Sequence, residues 1–188
     1  MTLSSTPSRH PRPPAVAGMF YPGDPATLAR DVDDALAGAR PLAGAAPKAL
    51  IAPHAGYVYS GPIAASAYAT LEPARSAIRR VVLLGPCHRV AVRGLALPSA
   101  DAFDTPLGRV PVDREAVAAL AGLPQVVVSG AAHAQEHSLE VQLPFLQRML
   151  GEFAIVPLAV GDASADEVAD VLDRLWGGPE TLILISSD

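Results

Sequence analysis

Apolar positions along this chain follow two rhythms: short unbroken runs, and stretches with apolar residues three or four apart. The runs KALIAP (48–53), RRVVLLG (79–85), GLALPSA (94–100), QVVVSG (125–130), FAIVPLAV (153–160) and TLILISSD (181–188) predict strands. RRVVLLG is the clearest of them, a continuous β-branched and leucine run of the kind a strand covered on both faces needs. Helical spacing fills the gaps. Asp24 can cap a helix with Pro25 at its first position, running through Leu28, Val32 and Leu36 toward Gly38. Ser60 and Pro62 can open a second helix, IAASAYATL, and Asp113 caps REAVAALAG. SLEVQLPFLQRML (138–150) reads as one helix, which Pro144 should kink because it cannot donate to the carbonyl of Glu140. Ser164 and Glu167 form a capping box for DEVADVLDRLW. FDTPLGRVPVD is an excursion that turns at TPLG.

Five or six strands alternating with four or five helices predict an α/β domain with a largely parallel or mixed central sheet flanked by helices. The proline-rich opening MTLSSTPSRHPR reads as a disordered tail over 1–12, leaving 13–188 as one domain.

Composition narrows the function. The net charge is -5 and Lys48 is the one lysine, so there is no basic stripe for nucleic acid or an anionic membrane. Cys87 is the sole cysteine, which excludes an intrachain disulfide and fits a reducing compartment. The N-terminus lacks a signal-type apolar core and no apolar run is long enough to span a bilayer, so the expected location is cytoplasmic.

Two histidines occupy matched positions. In LIAPHAGYVYSG, His54 follows a strand by one proline; in VVLLGPCHRV, His88 follows another by Pro86 and Cys87. Ligands of open α/β sheets bind outside the carboxyl ends of the strands. Parallel, near-neighbouring strands would bring both imidazoles to one edge, within reach of one ion. Gly56 and Gly85 leave room there for a ligand or a close backbone approach. A two-histidine metal site needs a third ligand, and Asp188, ending the last strand, is the carboxylate best placed on that edge. The competing reading has each histidine bonding loop backbone. Glu136, His137 and Glu140 can support the site from behind, holding a ligand or tuning a proton, or can be ordinary polar positions of a capped helix. Cys87 beside His88 reads as a small residue in a tight turn, against the alternative of a soft ligand or nucleophile. Tyr57 and Tyr59 face opposite ways if extended, one lining the pocket and the other packing below. AHAQEHSLE also matches the HxxEH pattern of inverzincin metallopeptidases, with His133 and His137 as ligands and Glu136 as base; that would require both histidines on one helical face.

PAVAGMFYP, APHAGYVYSG, LLGPCHRV, FDTPLGRVPVD, EHSLEVQLPFLQ, PLAVGD and LISSD, in this order, resemble the Memo family, whose bacterial members are labelled AmmeMemoRadiSam system protein B. The resemblance implies a fold related to LigB-type class III extradiol dioxygenases, which open catechol rings with iron(II). It implies that His54 and His88 match the two iron-ligating histidines, and that the site takes a redox-capable divalent metal, Fe(II) foremost, with copper or zinc as alternatives. The expected ligand is a small aromatic molecule or a peptide, and a radical SAM system protein is the expected partner. Dioxygenase-like oxidation and a non-catalytic peptide-binding module are the two activities to separate. Family members continue past the SSD motif into a further histidine and a late cysteine at the third ligand position. This sequence stops at Asp188, so a fragment or a truncated member is expected, with weakened metal binding and TLILIS as an exposed edge.

Overall fold

A computed structural model describes residues 10–40 and 44–188, so most of the tail expected over 1–12 lies outside the described residues. Eight strands and six α-helices are present among them. They are α1 (Pro25–Gly38), β1 (Ala49–Ala52), α2 (Tyr57–Tyr68), β2 (Arg80–Pro86), β3 (Leu95–Leu97), β4 (Ala102–Thr105), β5 (Gly108–Pro111), α3 (Arg114–Ala119), β6 (Val126–Val128), α4 (Gly130–Ala134), α5 (Leu143–Met149), β7 (Ala154–Val160), α6 (Ala165–Leu175) and β8 (Thr181–Ser186). The central sheet has six strands in the order β1-β8-β2-β7-β3-β6, and β4 with β5 forms a separate antiparallel hairpin. All pairings in the large sheet are parallel except β3 with β7. The architecture is therefore α/β with a mixed sheet, as the alternating pattern predicts.

The sheet carries a core on each face. Val81 and Leu83 of β2 point into one with Leu28, Val32, Tyr68 and Phe145, while Val82 and Leu84 point into the other with Leu120, Val171 and Leu175. This is the period-2 alternation of a strand buried on both sides. Side-chain caps fix the helix starts: Asp24 accepts from the Thr27 N–H, Asp113 from the Ala116 N–H, and Ser164 exchanges hydrogen bonds with Glu167 in a complete capping box. Each such cap contributes about 1 kcal/mol.

Four expectations change. TLILIS is no edge: β8 lies between β1 and β2, with Thr181, Leu182, Ile183 and Leu184 buried. The exposed edges are β1 and β6. α2 begins at Tyr57, three residues before Ser60, and carries Pro62 in its interior. The segment expected as one helix over 138–150 is a 3₁₀ turn over Glu140–Gln142 followed by α5, and Pro144 falls in the first turn of α5. A missing N–H costs nothing there, so the proline starts a helix rather than kinking one. Arg12, assigned to the tail, is 5% exposed and pairs with β4: its N–H donates to the Ala102 carbonyl and its carbonyl accepts from the Asp104 N–H.

Candidate metal centre

β1 and β2 run parallel with only β8 between them, so the segments leaving all three emerge at one edge of the sheet. His54 follows β1, His88 follows β2, and Asp188 follows β8. The rings of His54 and His88 have centroids 5.3 Å apart. His137 arrives from a different direction, on the loop between α4 and the 3₁₀ turn. It stacks on His88 at 4.7 Å and meets the edge of His54 at 5.5 Å, with the Phe20 ring 4.6 Å away. Gly85 allows this loop so close: a Cβ there would come within 2.9 Å of Leu139 Cδ2 and 3.0 Å of Ser138 Oγ. Gly85 thus makes room for the side chains of Leu139, Ser138 and Ser186 rather than for another stretch of backbone.

One ligand atom from each of His54, His88 and His137 lies within 4.8 Å of the others. Nitrogens held ~2.0–2.1 Å from one ion stand roughly 3.4 Å apart in tetrahedral geometry. Each ring then closes by less than about 1 Å, which a small χ rotation supplies.

Glu136 organises two of the three histidines. Only 2% exposed, it accepts from the His88 N–H at 2.6 Å, from His88 Nδ1 at 2.8 Å, and from the backbone N–H groups of His137 and Ser138, each at 3.0 Å. Burial pushes this carboxyl up, but the bonds from the His88 ring and the Ser138 and His88 N–H groups outweigh it and hold the group at about 2. An ionised carboxylate accepts only, so His88 donates through Nδ1, and it is Nε2 that the neutral ring would offer to a metal. Burial lowers the proton affinity of both His54 and His137, Asp188 opposing it at the first and Glu136 at the second. The Nδ1 of His137 is buried without a hydrogen-bond partner; it lies 3.3 Å from Glu136 Oε1, out of line for a bond. His54 is 4% exposed, its backbone N–H donating to Asp188 Oδ1 at 3.0 Å and its Nε2 lying 3.4 Å from Oδ2 of that carboxylate.

The remaining sequence candidates lie elsewhere. Glu140 does not reach the histidines; fully buried, it accepts from Arg12, Tyr21 Oη and the N–H groups of Ala15 and Val16. Tyr59 is 82% exposed, because helical rather than extended backbone turns it to solvent. Tyr57 packs on Tyr21 and Phe145 and donates to the Val141 carbonyl at 2.6 Å. Cys87 is outside the imidazole group, its Sγ 3.1 Å from the Val90 carbonyl. His133 sits in α4 and bonds through Nε2 to the Ala96 carbonyl at 2.8 Å. α4 ends at Ala134, so His133 and His137 share no helical face and the HxxEH zinc pair does not form. Sequence reasoning gave His137 a supporting role, whereas the structure puts it in the cluster. It missed Ser186 and Gln142 beside His54 altogether; the available signal was a polar residue at an inward position of an otherwise apolar segment.

Fold and site together define an α/β protein with a cluster of three imidazoles at the carboxyl edge of its sheet. The profile of the family described as Memo-like protein matches residues 12–188, and the chain belongs to that family. It is 42% identical over 182 residues to a MEMO1 family protein of Aquifex aeolicus, covering 94% of this chain and 66% of that one. A MEMO1 family protein of Thermotoga maritima is 37% identical over 200 residues, 94% of this chain and 69% of the relative. One from Methanosarcina barkeri is 42% identical over 168 residues, 85% and 58%. The chain thus spans about two thirds of the length of the first two relatives and less of the third. No helix among the described residues is long and apolar enough to cross a membrane.

Proposed function

We propose that the chain holds one divalent transition metal between His54, His88 and His137 and uses it in oxidative chemistry on a small aromatic hydroxyl compound. The observation that carries this reading is the mutual approach of three ligand nitrogens within 4.8 Å. The donor set fits: imidazoles suit iron, copper and zinc, whereas magnesium and calcium prefer oxygen. The buried, unpartnered Nδ1 of His137 is an orphan that coordination would satisfy. The likeness of His54 and His88 to dioxygenase ligands favours Fe(II).

The bound ion would supply Lewis-acid polarisation and, as iron or copper, one-electron chemistry. The chain supplies the rest. Glu136 orients His88 through its Nδ1–H, and Phe20 shields one side of His137. Asp188, its side chain 61% exposed beside His54, would take the proton of a substrate hydroxyl.

The test is metal content after anaerobic loading with Fe(II) or Zn(II) and dialysis. One ion per chain is expected, lost in the His54→Ala/His88→Ala double variant. Unchanged stoichiometry in that variant overturns the site. Turnover of catechols by the iron-loaded chain, abolished by either single variant, supports the oxidative chemistry; full metal occupancy with no turnover on any catechol rejects it.

A further inference from the structure

His54 touches a buried hydrogen-bond chain that reaches away from the metal centre into the core. Its Nδ1 lies 3.2 Å from Ser186 Oγ. Ser186 Oγ is 2.6 Å from the Ser138 carbonyl and 2.8 Å from Gln142 Nε2. Gln142 Nε2 also lies 3.0 Å from the Pro53 carbonyl, and its Oε1 lies 2.6 Å from Tyr68 Oη. His54, Ser138, Gln142 and Ser186 are all at most 4% exposed, and Tyr68 is fully buried, so solvent cannot substitute for any partner.

The buried contacts leave one arrangement of protons; the competing acceptor across the ring is the Asp188 carboxylate, 61% exposed, whose Oδ2 lies 3.4 Å from Nε2 without a hydrogen bond to it. The Gln142 nitrogen faces a carbonyl that can only accept, which settles which end of the amide is which. Its two protons go to Pro53 O and Ser186 Oγ, and its oxygen accepts from Tyr68. Ser186 has a single proton, and the Ser138 carbonyl at 2.6 Å outcompetes the imidazole at 3.2 Å for it. The serine oxygen therefore meets His54 as an acceptor, and only a protonated Nδ1 satisfies the contact.

We infer that Ser186, its hydroxyl held by the Ser138 carbonyl and Gln142, is a positioning residue that locks His54 as its Nδ1–H tautomer, leaving the Nε2 lone pair free. His54 and His88 are thereby set in the same tautomer by unlike devices, a neutral amide–hydroxyl chain for one and a carboxylate for the other. The lock operates in the metal-free chain; only its purpose rests on the metal reading.

The test is long-range ¹H–¹⁵N correlation NMR of the histidine side chains in the metal-free protein at about pH 8, where the ordinary imidazole is neutral. His54 is expected with its proton on Nδ1 and a bare Nε2. A proton on Nε2 overturns the inference with no variant needed. Ser186→Ala removes the acceptor that the Nδ1–H requires and should populate the Nε2–H form, whereas Gln142→Met leaves the Ser138 carbonyl holding the serine proton and should keep the Nδ1–H form. Leu143→Ala opens the core one residue away while removing no polar group, and should keep the original tautomer. A shift there as large as in Ser186→Ala would trace the effect to packing and sink the inference. Zinc affinity should fall about 10–100-fold in Ser186→Ala. A chain with the expected tautomer that takes up no zinc would reject the metal reading and leave the lock standing; a zinc-binding chain with Nε2–H on metal-free His54 would do the reverse.

Discussion

Glu136 and Glu140 stand four residues apart, both all but inaccessible, and serve different ends. Glu136 takes protons from one histidine ring and three backbone N–H groups, and it leaves imidazole nitrogens free at the sheet edge. Glu140 takes protons from a guanidinium, a phenol and two backbone N–H groups, and nothing is left over. The Arg12 guanidinium in turn donates to the backbone carbonyls of His133 and Glu136, so this second cluster ties the N-terminal segment to the loop that carries His137. The difference teaches that a buried carboxylate is read by its donors. A saturated one is an anchor, and one whose donors keep unpaired nitrogens marks a site.

The largest expected effect breaks the anchor. Glu140→Gln leaves Arg12 buried without a counter-charge, which costs about 3–5 kcal/mol. Urea unfolding of the variant should show this loss; a change under about 1 kcal/mol would mean that Arg12 escapes to water and that the anchor is loose.

His133, on the anchor side, gives the next effect. Burial, with Arg12 adding to it, pushes its imidazole from the ordinary 6.5 down to about 4, against the Ala96 carbonyl and Glu136, which raise it. The folded state thus holds the neutral ring while the unfolded chain gains a proton below 6.5. The stabilisation is complete above pH 6.5 and is lost as pH falls through 6.5 toward 4, to a total of roughly 3 kcal/mol. Subtracting the unfolding free energies of His133→Gln from those of the unsubstituted protein should give a difference that slopes only in that window. A flat difference would mean that His133 is charged or solvated in the fold.

Most of the architecture was legible because strands and capped helices announce themselves locally. RRVVLLG could be nothing but an interior strand, and Ser164 with Glu167 specified a helix start three residues at a time. TLILIS was misplaced because sheet order is set by tertiary packing, and no local pattern says that β8 inserts between β1 and β2. The site was legible by half. Strand-end placement found His54 and His88, whereas His137 reaches them on a loop whose course depends on the Gly85 gap. Glu140 and Glu136 were indistinguishable in sequence, since what separates them is Arg12, more than 120 residues away along the chain. Tyr59 failed for a simpler reason, an extended segment that is in fact the first turn of α2.

Smaller effects sharpen the site side. Glu136→Gln keeps the shape but turns an amide nitrogen toward groups that donate, so His88 loses its fixed tautomer. Metal affinity should fall about 10–100-fold, while urea unfolding registers about 1–3 kcal/mol, less than for Glu140→Gln. The reverse ranking, with metal uptake intact and stability collapsed, would make Glu136 a second anchor and erase the contrast.

The smallest effect tests where the site ends. Tyr59 belongs to the conspicuous GYVYSG stretch next to His54, but it is 82% exposed and makes no ring contact with the cluster. Tyr59→Ser should change unfolding free energy by less than about 0.5 kcal/mol, as exposed substitutions generally do. Zinc titration of the same variant should overlay the unsubstituted curve. A weakened titration with unchanged stability would extend the functional surface over the outer face of α2, and the sheet edge with its three imidazoles would then be only its inner wall.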